Sequence, residues 1–72
     1  MNVAVERKRS LLCRCWDVVA AEQIGPRQER LRAEVEYWQL ALRDSEQTGA
    51  QVSEWLALRH LSDFLKRNEA QA

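Results

Sequence analysis

Residues 26–47, PRQERLRAEVEYWQLALRDSEQ, decide the fold. Leu31, Val35, Trp38 and Leu42 recur at steps of four, three and four. At about 100° per residue they share an arc of roughly 60° on a helix. Pro26 suits the first helical turn, where a missing N–H costs nothing, and Gly49 supplies the stop. A long helix with so thin an apolar stripe is not stable alone, so the rest of the chain must supply what packs against it.

Upstream, residues 4–24 predict a first helix. Around Leu12, the side chains of Val5, Trp16 and Val19 lie close by; Leu11, Cys15 and Val18 spread to one flank, Cys13 and Ala20 to the other. The apolar arc exceeds about 200°, more than one neighbouring helix covers. The expectation is that Leu12, Trp16 and Val19 face the core while Leu11, Cys15 and Val18 face a second chain. Gly25-Pro26 ends this helix, because the residue before a proline avoids the helical region.

Downstream, residues 52–67 predict a third helix whose packed face is Trp55, Leu58, Leu61, Phe64 and Leu65. Thr48 or Ser53 offers an N-cap, and Lys66 and Arg67 complement the dipole in the last turn. Residues 68–72 read as a frayed tail. On the back of the long helix, Ala33, Tyr37 and Leu40 project away from the seam, and Leu56 sits off the packed face of the third. These residues either pack, on the first helix or on a dimer mate, or are the candidate contacts for a partner protein, since contiguous apolar surface marks interfaces.

The chain has 72 residues and a formal charge of zero. That length makes one helical domain, 1–72, and buries only roughly 60% of the unfolded surface, so a second copy is the readiest source of added burial. The fold expected is therefore all-α: a small three-helix bundle, or a helical hairpin plus a helix, completed as a homodimer. Residues 1–32 carry a net charge of +3 and residues 33–72 a net charge of −3. This balance lacks the basic footprint of a dedicated nucleic-acid binder.

The start, Arg7-Lys8-Arg9 followed by Leu11-Leu12 and Val19-Ala20-Ala21, faintly copies a secretory signal, but Arg14 and Asp17 interrupt its apolar centre. No apolar run is long enough to span a membrane. Cys13 and Cys15 diverge by about 160° on a helix and cannot bridge each other. A reducing, cytoplasmic setting follows as the expectation.

Catalytic chemistry finds little to work with. His60 is the only imidazole, both cysteines fall on an apolar face, and two glycines make no phosphate cradle. A Cys-x-Cys pair with one distant histidine falls short of the four ligands of structural zinc unless a dimer doubles it. No cofactor or metal is expected. Helix 1 lacks the segregated cationic face of a membrane-surface helix.

Gly49 followed by Ala50-Gln51-Val52-Ser53-Glu54-Trp55-Leu56 resembles the turn and recognition helix of the helix-turn-helix DNA-binding family, over about twenty of the 72 residues. That resemblance implies a transcriptional regulator, with Arg7, Lys8, Arg9 and Arg14 available to phosphates. The chain departs from the pattern in the length of the preceding helix, in Asp44 at a position the motif buries, and in Glu54 and Asp63, which repel phosphate. The leading expectation is a non-enzymatic protein–protein interaction module acting by occupancy. An adaptor, a chaperone, or an inhibitor or regulator of the kind carried by phages and plasmids would look like this.

Overall fold

The computed structural model describes residues 3–69, with side chains described for 6–68. Three helices, α1 (Val3–Ala21), α2 (Pro26–Thr48) and α3 (Gln51–Glu69), pack against one another. At about 1.5 Å per residue, the 23 residues of α2 account for most of the 36 Å long axis.

Contacts between the helices give the topology. Trp16 Nε1 donates to Gln39 Oε1 at 3.1 Å and Gln28 reaches back to the end of α1, so α1 and α2 run antiparallel. Arg67 meets Glu34, and His60 meets Trp38, so α3 returns along α2. Lys8 pairs with Glu54 and Cys15 with Leu61, which leaves α1 and α3 parallel.

The core is Cys15, Val19, Val35, Leu42, Ala57, Leu61, Phe64 and Leu65. Leu31 and Trp38 of the α2 seam are half-buried beside the fully sequestered Val35 and Leu42. Burial of each large apolar side chain contributes roughly 1.5–3 kcal/mol. One polar residue joins them: Ser45 is buried and its hydroxyl donates to the Leu42 carbonyl at 2.7 Å, inside its own helix. Its polarity is therefore satisfied locally.

Helix ends differ from expectation for identifiable reasons. α1 stops at Ala21 rather than near 24, because Gln28 Nε2 donates to the carbonyls of Val19 at 3.0 Å and Glu22 at 3.2 Å. The Val19 carbonyl also accepts from Glu22 N–H at 3.2 Å, and the Glu22 carbonyl, whose helical donor position is filled by Pro26 without an N–H, has the Gln28 amide instead. Ile24, left outside, is 95% exposed in the turn. Gly49 ends α2 with φ 74°, and its N–H donates to Ser45 O at 2.7 Å; only glycine adopts that left-handed cap without a Cβ penalty. Thr48 does not cap α3: its hydroxyl donates backward to Asp44 O at 3.0 Å. α3 also outlasts the predicted fraying at 68, since Asn68 Nδ2 donates to Phe64 O at 2.7 Å. Residues 70–72 of the expected tail, and the Val5 side chain, lie outside the described residues.

The packed face of α3 is rotated from the expected one. Trp55 is 57% exposed, and Ala57, which the periodicity argument passed over, is fully buried. Ala57 sits in the core cluster, and the large indole two positions earlier is turned outward.

Candidate functional site

All four candidate partner contacts, Ala33, Tyr37, Leu40 and Leu56, are exposed, but on two different helices and not as one patch. Leu56 belongs with Val52 and Trp55, at positions i, i+3 and i+4 of the first turns of α3. Val52 is 72% exposed, and Arg59 lies over the Trp55 ring, 5.3 Å from its centroid. A cation held over an indole face adds attraction and keeps the ring in one orientation. Gln51, Glu54, Trp55 and Leu58 line an open depression of about 430 Å³ beside this turn. Helical spacing carried the signal for the cluster, but treating Trp55 as core concealed it.

On α2, Tyr37 and Leu40 are 64% and 62% exposed. The Tyr37 ring meets Trp38 edge-on, 4.8 Å between centroids, and Trp38 lies against His60. Tyr37 is thereby braced by the half-buried seam while its far side faces solvent. A shallow depression of about 330 Å³ is bounded by Glu36, Gln39, Leu40 and Arg43.

The three residues assigned to a second chain separate. Cys15 is wholly buried within its own chain, its Sγ donating to Leu61 O at 3.6 Å. It is not a dimer contact, because α3 lies along this flank of α1 and covers it. Leu11 and Val18 are half-buried against the same core. The wide apolar arc of α1 is thus explained by two neighbours inside one chain.

Nor do the four basic residues near the start form one surface. Lys8 is drawn into an ion pair with Glu54, and Arg7, Arg9 and Arg14 are on the exposed surface. Arg7 and Arg14 share a side two turns apart, and Arg9 points about 160° from Arg7. α3 also runs back along α2 as an antiparallel αα-hairpin, unlike the steep crossing of a DNA-binding helix-turn-helix. A polar cleft of about 410 Å³ includes Arg27, Arg30, Glu34 and Arg67. Two of its cations are engaged, Arg67 by Glu34 at 3.1 Å and Arg27 by Glu22 at 3.4 Å.

Among the described residues, no three His, Cys, Asp or Glu side chains converge to hold a metal ion, and no helix is long and apolar enough to cross a membrane. No family model matches the chain, and comparison with curated proteins and with solved structures finds no significant match. Its own geometry therefore carries the functional argument.

Proposed function

We propose that this chain is a non-enzymatic protein–protein interaction module of the cytoplasm, homodimeric, which acts by occupying a surface of another protein. The observation that carries the reading is the exposed Val52-Trp55-Leu56 turn of α3. Three large apolar side chains on one turn hold water against nonpolar surface, although the core of the bundle is already filled by others. Tryptophan is the residue most enriched among interface anchors, and here a guanidinium orients it. Leu56 is the member of the sequence-predicted set that this turn retains.

Affinity capture from a native, nuclease-treated lysate tests the proposal when wild type is run beside Val52→Glu and Leu56→Glu. Both positions are exposed, so the variants are expected to fold. Wild type should retain a protein that both variants lose. Identical captures, or capture of nucleic acid alone, would count against it. The DNA-binding alternative has less support, since Lys8 is engaged by Glu54 and the remaining arginines are dispersed.

A further inference from the structure

The homodimeric part of that reading needs a surface, and of the one the sequence suggested on α1 Cys15 is buried and Leu11 and Val18 are only half-exposed. From α2 we infer that two copies of this chain pair antiparallel across the back of the helix, about a two-fold axis close to Leu40. The Val52-Trp55-Leu56 turn is then left free for a different protein.

Charge selects the orientation. Glu36 and Arg43 are exposed, seven residues apart, on the same side of Leu40. In an antiparallel pair, Glu36 of each copy faces Arg43 of the partner subunit, twice. A parallel pair would carry these side chains to opposite flanks of the seam in the two copies, setting Arg43 beside Asp44 of the partner subunit but Glu36 beside Tyr37 of the partner subunit, with no cation to meet it. The same antiparallel register brings Tyr37, on the other side of the stripe, opposite Asp44 of the partner subunit. A phenol can donate to a carboxylate there.

Shape agrees with charge. Glu36, Gln39, Leu40 and Arg43 stand at i, i+3, i+4 and i+7, the four positions that make a hole for a knob in helix–helix packing, and they bound an open depression. With the two-fold near Leu40, each Leu40 enters the depression of the other copy. Ala33, small and exposed on the same stripe, keeps the helices close. One helix seam covers less than the roughly 800 Å² per partner of a standard interface, so association in the micromolar range is expected.

Sedimentation of the purified chain, from about 1 to about 300 µM, tests this. Wild type should approach twice the 8.4 kDa chain mass. Glu36→Arg and Arg43→Glu should each weaken the dimer at least about tenfold, and Leu40→Glu should give monomers. The double variant Glu36→Arg/Arg43→Glu should return to within about threefold of wild type, because it exchanges the partners of both pairs. Circular dichroism should show all four variants fully helical, since these side chains are exposed. Failure of the double variant to recover, or single variants that dimerise like wild type, would overturn the inference. A dimer broken by Leu11→Glu or Val18→Glu but not by these changes would overturn the surface and leave the homodimer standing. A wild-type chain that stays monomeric throughout would remove both, without touching the proposal for α3.

Discussion

The imidazole of His60 lies flat against the indole of Trp38, with centroids 4.1 Å apart and planes 4° from parallel. This contact joins α2 to α3 at mid-length and screens one face of a half-buried tryptophan from water. Trp38→Ala should cost about 3 kcal/mol of stability, as large buried-to-small changes do. His60→Ala should cost about 1 kcal/mol, the worth of a stacked aromatic pair. Urea denaturation followed by circular dichroism measures both, and equal costs would contradict this ranking.

Gln28 makes a second long-range connection, by donating to two carbonyls at the end of α1. Gln28→Ala should destabilise by about 1 kcal/mol, because the Glu22 carbonyl loses this donor while the Val19 carbonyl keeps the Glu22 N–H. Gln28→Glu keeps the shape but substitutes an acceptor for the amide donor, so it should be at least as harmful. Amide exchange in the last turn of α1 should quicken in both variants.

The two cysteines occupy opposite environments, Cys13 exposed and Cys15 buried. In the native protein one thiol should react promptly with an aromatic disulfide reagent, and the second only on unfolding. Cys13→Ser should abolish the fast phase. Two thiols of equal reactivity would show that α1 is not seated as described.

On α3, Leu56→Ser and Val52→Ser should change stability by no more than about 0.5 kcal/mol, as exposed positions do. Ala57→Leu should cost about 1–3 kcal/mol, because that methyl group is fully buried in the core. Thermal melts of the three variants give the comparison directly.

Much of the architecture was legible from spacing alone. The α2 seam, its Pro26 start and Gly49 stop, and the Gly25-Pro26 corner follow from rules that act within a few residues. Cys15 and Trp55 were misplaced because a helical wheel assigns one centre to each apolar face. Two neighbours share the face of α1, and the actual centre lies between them, at Cys15. On α3 the bulk of Trp55 pulled the expected face toward it, whereas the buried position is Ala57. The Gln28 cap left no local trace, since its acceptors belong to a different helix. For the candidate site, spacing set Tyr37, Leu40 and Leu56 off the packed faces of their helices, but only tertiary geometry decides that Tyr37 and Leu40 are exposed and not packed on α1.

Lys8 with Glu54 and Cys15 with Leu61 each span 46 residues, whereas α1–α2 and α2–α3 are sequential hairpins. Chain closure over that separation costs more entropy than closing either hairpin, so the parallel seam should consolidate after the rate-limiting barrier. Weakening it, by Lys8→Ala or Cys15→Ala, should then accelerate unfolding and leave refolding nearly unchanged, while Leu42→Ala should slow refolding. In kinetic terms α2 is the template, and α1 is held against α3 by contacts that set the lifetime of the folded chain rather than the speed at which it forms.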